Sequence, residues 1–180
     1  MANVFDVLAA DHELTKALLN ELGHGAVEGR QKRAEELVIA ESRHEVIEEM
    51  YFWPAVRQTL PGGDDLADTA IAQETEGKRV LDQLDKAGAA APEFPGLLAT
   101  FSTLAFEHIA FEEREVWPKL RAALDPDAQD ELGSKLESAR SAAPTRPHPH
   151  TPAAPEVLKT AGAAVAAVDK VRDVLSGRDD

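Results

Sequence analysis

The 180-residue chain contains no cysteine. That excludes disulfides, iron–sulfur clusters, thiolate zinc sites and cysteine nucleophiles together. Any metal site must be built from His, Asp and Glu. Aromatic residues are only 5% of the chain, so the core is aliphatic and alanine-rich. Basic residues are scarce as well: 19 Lys and Arg stand against 33 Asp and Glu, a formal charge of −14. Such a surface repels nucleic acid backbones and anionic membranes, and neither is expected as a partner. No window approaches a transmembrane span, and the first apolar run is broken by Asp6 and Asp11. Nothing at the N-terminus reads as a signal peptide, so a cytoplasmic location is expected.

The remaining composition, 43% hydrophobic and 29% charged, is that of a globular chain able to bury one substantial core. Periodicity is helical almost throughout, which predicts an all-α fold. A first helix starts near Asn3, a good N-cap, and runs to about Leu22 before Gly23-His24-Gly25. A second runs from about Glu28 to Leu60 and stops at Pro61-Gly62-Gly63. Asp64 or Asp65 is placed to cap a third, ending near Gly88, and a fourth spans Pro95 to Leu124. Asp125-Pro126 opens a short fifth helix to about Arg140. Residues 141–155 hold prolines at 144, 147, 149, 152 and 155 and read as an extended Pro-rich linker. Residues 156–180 form a C-terminal amphipathic helix with Val157, Ala161, Ala164, Val168, Val171 and Leu175 on one stripe. That stripe predicts docking on the rest of the chain or on a second copy, giving a homodimer. The expected organisation is a bundle over 1–140, the linker, and the terminal helix.

The chain also repeats itself. His44-Glu45-Val46-Ile47-Glu48-Glu49, followed by Trp53-Pro54, matches His108-Ile109-Ala110-Phe111-Glu112-Glu113, followed by Trp117-Pro118, at an offset of 64. Upstream, Phe5, Leu8, His12, Lys16, Leu19 and Leu22 match Ala67, Ala70, Glu74, Lys78, Leu81 and Leu84 at an offset of 62. Two helical hairpins of one pattern predict an up-down-up-down four-helix bundle. Polar residues interrupt every apolar stripe of that bundle. They are His12 in the first helix, Glu41, His44 and Glu48 in the second, Glu74 in the third, and His108 with Glu112 in the fourth. His44 with Glu48, and His108 with Glu112, occupy adjacent turns of one face. Buried unpaired carboxylates cost several kcal/mol. Three of them beside three imidazoles call for a cation, and a metal pair bridged by carboxylates supplies one.

The pattern of His12, His44-x-x-x-Glu48 and His108-x-x-x-Glu112, each Glu followed by Trp-Pro, resembles the hemerythrin family in its HHE cation-binding branch. The resemblance covers residues 1 to about 140. It implies two iron ions per chain, oxo- or hydroxo-bridged, with Glu48 and Glu112 as bridges. It further implies that His12 and His44 hold one iron and His108 the other. The third helix departs from the pattern: hemerythrins place two histidines one turn apart there, and many HHE domains keep one. This chain has Glu74 and Lys78 instead. Glu74 is a competent hard ligand, and three His with three Glu resembles ferritin-like di-iron carboxylate sites. Carboxylate-rich ligation stabilises ferric iron and disfavours reversible oxygen carriage.

Among other candidates, Glu45 has a ligating counterpart in the family, but an exposed or outer role is favoured. Glu41 and Glu115 are placed to orient imidazoles. Gly77, mid-helix and inward, either makes room for a small ligand or permits close packing. Tyr51 reads as core, Lys16 and Lys78 as surface residues, and His24, His148 and His150 as loop histidines with no convergent partners. The expected function is a cytosolic non-haem di-iron protein that binds or reacts with O2, peroxide or NO. A peroxidase or catalase-like oxidoreductase is its enzymatic form. The alternative is a non-catalytic metal-binding or stress-linked helical interaction protein.

Overall fold

The computed structural model describes residues 2–151 and 153–178, without the side chains of 160–163. Among them every regular element is helical. Helix α1 is Val4–His24, with the Asn3 side chain accepting from the Phe5 N–H at 3.1 Å. Helix α2 spans 30–59 and is made of Arg30–Ile47, a π turn Glu48–Phe52, and Trp53–Thr59. Helix α3 is Gly63–Ala87. Helix α4, Phe94–Ala123, holds a second π turn at Glu112–Val116. Helix α5 is Pro126–Arg140, capped as expected by Asp125, whose carboxylate accepts from the Ala128 N–H at 2.8 Å. Helix α6 is Pro155–Ser176.

Helices α1 to α4 close a ring in which each packs on two neighbours, and α5 lies across α1 and α2. The up-down-up-down bundle is thus present. Its core is split in two. One apolar cluster gathers Phe5, Leu8, Ile47, Phe52, Trp53, Val56, Leu120 and Leu136. The other gathers Leu19, Leu22, Leu37, Leu81, Leu84, Phe94 and Phe101. Each such fully buried side chain contributes about 1.5–3 kcal/mol. The polar stripe positions fall between the two clusters.

Several expectations need correction. Helix α3 is not capped by Asp64 or Asp65. Gly62, at φ 74°, turns the chain so that the helix starts at Gly63, and Arg57 takes the Asp64 carboxylate at 3.1 Å. The long helices are not continuous α-helix. Proline 54 and proline 118 have no N–H to donate, and the preceding Trp53 and Trp117 N–H groups reach back five residues to the Glu48 and Glu112 carbonyls. Helix α4 has the length and the mean hydropathy, 1.2, of a membrane span, where none was expected. One face of it is buried, with Leu98, Phe101, Ala105, His108 and Ile109 against the other helices, while Phe106 on the other face is 47% exposed.

The C-terminal region packs on the bundle, but not through the expected stripe. Ala143, Thr145 and Leu158 are buried, and α6 contacts the first π turn. Val168, Val171 and Leu175 of the stripe are 52%, 61% and 82% exposed. The side chain of Ala161, with Pro152, Asp179 and Asp180, lies outside the described residues. Helix α6 docks instead by a side that buries Leu158 and Ala166 together with Asp169 and Asp173. Asp169 meets His148 at 2.8 Å, Asp173 takes the Arg146 Nε at 3.0 Å and the Thr145 hydroxyl, and Arg178 pairs with Asp85 of α3. Charge-assisted bonds chose the docked face, so an apolar periodicity could not find it.

Candidate metal centre

The duplication delivers its intruding residues to one layer. His12 comes from α1, His44 and Glu48 from α2, Glu74 from α3, and His108 and Glu112 from α4. Potential ligand atoms of His12, His44, Glu48 and Glu112 lie within 4.8 Å of one another, as do those of Glu48, Glu74 and His108. Glu48 is shared by both groups. All six residues are buried, the carboxylates more deeply than His108. Glu48 and Glu112 each open a π turn, so the same helical irregularity presents the two duplicated acids.

Every imidazole is held from behind through Nδ1. His12 meets Glu113 at 3.0 Å, His44 meets Asp11 at 3.4 Å, and His108 meets Gln73 at 3.2 Å. In the neutral rings such contacts fix a tautomer in which Nδ1 donates and Nε2 faces inward with a lone pair. Trp117 stacks on His12, ring centroids 5.0 Å apart and planes at 10°. Trp53 donates its Nε1–H to Glu74 Oε1 at 2.5 Å.

The inward atoms are orphaned. His12 Nε2, His108 Nε2, both oxygens of Glu48 and of Glu112, and Glu74 Oε2 are buried without a hydrogen-bond partner among the described residues. His12 Nε2 lies 2.9 Å from Glu112 Oε2, and His44 Nε2 lies 3.3 Å from Glu48 Oε2. Lone pairs facing at that distance in a dry interior need a proton or a cation between them. Hard oxygen donors with neutral imidazoles suit iron or manganese. The residues present therefore fit a metal pair.

Protons are distributed accordingly in the metal-free chain. Burial, reinforced by Glu112 and Glu74, pushes Glu48 well above the usual carboxylate range. Burial does the same to Glu74, against the pull of Lys78. Burial opposes a charge on His44, but Asp11 against its ring raises it to about 9. Burial lowers His108 to about 4. Burial also works against an ionised Glu112, yet His12 and His108 hold it below its usual range.

Other candidates fall in different places. Glu41 accepts from the Thr15 hydroxyl, not from an imidazole, and Glu115 is exposed beside Lys119 at 3.5 Å. Glu45 is buried but outside both ligand groups, 3.9 Å from Lys78. Lys78 is buried, not a surface residue, and pairs with Glu49. Lys16 is half-buried between Glu13 and Glu113. Tyr51 packs against the first apolar cluster under Lys159. His24 is exposed, and His148 does have a partner, Asp169. A Cβ on Gly77 would meet Glu45 and Phe101 only at 3.6 and 3.9 Å, so packing does not demand glycine. A cavity of about 20 Å³ opens there between His44, Glu74, Gly77, Phe101 and His108. Sequence reasoning missed Asp11, Gln73 and Glu113. Their signal was available: each directly adjoins a residue of the repeated motif.

The family model of the hemerythrin HHE cation binding domain matches residues 3–120. The chain belongs to the hemerythrin HHE cation-binding family. A hemerythrin HHE cation binding domain-containing protein from Mycobacterium kansasii shares the fold, with a TM-score of 0.69 at 24% identity. That likeness covers 94% of this chain and 99% of the other. An uncharacterized hemerythrin-like protein of Schizosaccharomyces pombe is 27% identical over 135 residues. A DNA nickase of Nostoc sp. is 24% identical over 140 residues. This hemerythrin-family chain spans 66% of the yeast protein and 39% of the nickase, with 74% and 77% of its own length aligned.

Proposed function

We propose that the protein holds two iron ions at His12, His44, Glu48, Glu74, His108 and Glu112 and uses them to bind or react with O2, peroxide or NO in the cytoplasm. The seven orphaned inward atoms, drawn from all four helices, carry this reading. Bound iron would supply Lewis-acidic, redox-active positions for a ligand of a few atoms. The protein's own residues do the rest. Glu48, shared by both groups, is the bridging candidate. Asp11, Gln73 and Glu113 orient imidazoles, and the apolar clusters on either side exclude bulk water. Nicking DNA is a property of the Nostoc relative, and a charge of −14 weighs against DNA as a partner here.

Anaerobic loading with ferrous iron followed by elemental analysis tests the reading. About two ions per chain are expected for this two-group ligand set, with an azide-sensitive absorption band after oxidation. Glu74→Ala should lose part of the metal, and Glu76→Ala, exposed on the same helix, should not. Less than about half an equivalent in the wild type would refute a di-metal centre.

A second reading, a helical interaction protein, draws on the outer face of α6. Val168, Val171, Val174 and Leu175 are exposed there. In that reading a second copy covers them. Light scattering on the chain with and without 156–180 separates the two, because loss of a dimer on truncation supports the interaction role.

A further inference from the structure

The duplication lets the two halves of the centre be compared position by position. Asp11 and Gln73 are counterparts at the offset of 62, immediately before His12 and Glu74. Each reaches across to Nδ1 of a histidine on the following helix: Asp11 to His44 at 3.4 Å, Gln73 to His108 at 3.2 Å. One is a carboxylate and the other a neutral amide. The carboxylate has a further anchor. Arg140 donates from Nη1 and Nη2 to the two oxygens of Asp11, both at 2.7 Å. Arg140 is the last residue of α5, twenty positions beyond the residues matched by the family model. The Asp11 side chain is only 12% exposed. A bidentate guanidinium–carboxylate pair fixes orientation as well as charge.

The half containing His44 is favoured twice. His12 is also backed by a carboxylate, Glu113, which Lys16 steadies at 3.3 Å. Two imidazoles backed by anions donate more strongly than one backed by an amide. In the other half the position matching His12 is Glu74, tied to Trp53.

We propose that Arg140 is a positioning residue of the metal centre, acting through Asp11 on His44, so that the His12–His44 half retains its metal more tightly than the Glu74–His108 half. The inference rests on the di-metal reading above. It makes α5 part of the site rather than a prop for the bundle.

The test loads the full chain with cobalt(II) and follows metal release into excess chelator by tryptophan fluorescence. Both tryptophans of the chain touch the site, Trp117 at His12 and Trp53 at Glu74. Two release phases are expected from the wild type. Arg140→Met and Asp11→Asn should each accelerate the slow phase by about tenfold, within the range for such outer contacts, and leave the fast phase alone. The double variant should be no faster than either single one, because Arg140 acts through Asp11. Arg140→Lys should restore part of the retention. Gln73→Glu should slow the fast phase. A general loosening of the fold would speed both phases and lower the melting point of the metal-free protein. Slow-phase rates unchanged in both single variants, or both phases accelerated alike, overturn the proposal while leaving the di-metal reading intact. Wild-type protein that takes up no cobalt and no iron overturns both.

Discussion

Metal uptake at this centre should expel protons, and the structure says which. In the metal-free chain at pH 7, His44 keeps its proton because Asp11 raises it to about 9. Glu48 and Glu74 are pushed well up by burial and by the neighbouring carboxylates. His108, lowered to about 4, and Glu112, held below its usual range, have none to give. Ligands bind metal in their deprotonated forms, so the His44 proton at least should leave as the centre fills at pH 7, and the raised Glu48 and Glu74 add to the release. At pH 7, two units below the value of His44, proton competition there offsets about a hundredfold, or about 3 kcal/mol, of the intrinsic affinity that the Asp11-backed ring contributes. Affinity should therefore climb as pH rises from 7 to 9, by about tenfold per unit from His44 and more steeply with the two acids. Calorimetric titration with manganese(II) in buffers of different ionisation enthalpy reads the proton count directly. Glu74→Gln should lower that count. Heats that do not depend on the buffer would show that no protons stand in for the metal, and the argument from facing lone pairs would be wrong.

The same shifts set the pH response of the chelated protein. A raised His44 stabilises the fold fully below about pH 6.5, and that contribution is lost as pH rises through about 9. Glu45, raised by burial to about 8, acts in the same direction. His108 acts oppositely, its contribution fading as pH falls from about 6.5 towards 4. The melting midpoint of the metal-free form should thus decline from pH 7 to 10, and a flat profile would contradict these assignments. Trp53→Phe should weaken metal retention in the Glu74 half and raise its release rate, since Glu74 loses its 2.5 Å donor; unchanged rates would count against that role. Leu136→Ala, fully buried between α5 and the bundle, should cost about 2–5 kcal/mol in denaturant unfolding. Gly133→Val should be worse, because even a Cβ there would lie 2.1 Å from the Ala2 carbonyl oxygen. A tolerated valine would mean that α5 does not press on the N-terminus as described.

The convergent layer was legible because gene-scale repetition and helical periodicity act together. A histidine on one apolar stripe is ambiguous, but His44 and His108 at matching positions of the repeat, each with a Glu one turn on, reinforce each other. Burial of all six residues followed from the stripe alone. The π turns are not legible from Trp-Pro alone, because a proline's missing N–H can be accommodated by a kink, a break or a wider turn. Asp11, Gln73 and Glu113 were overlooked because they lie off the stripe, on the flank from which a neighbouring helix is reached. The docked face of α6 is hidden from periodicity for a related reason. Periodicity weighs apolar area, whereas Asp169 and Asp173 dock through specific cations, hydroxyls and a histidine.

The split core also governs traffic. With Phe5, Phe52 and Leu120 at one end and Leu22, Leu84 and Phe94 at the other, both axial routes to the centre are closed by packed hydrocarbon. The packing is less complete on the side between α2, α3 and α4, where His108 is the most exposed of the six site residues at 9% and the cavity beside Gly77 lies. A void of about 20 Å³ has room for one water-sized body. The bundle thereby limits by size what can rest beside the centre before any chemistry begins: anything larger than a water-sized body needs the helices to move.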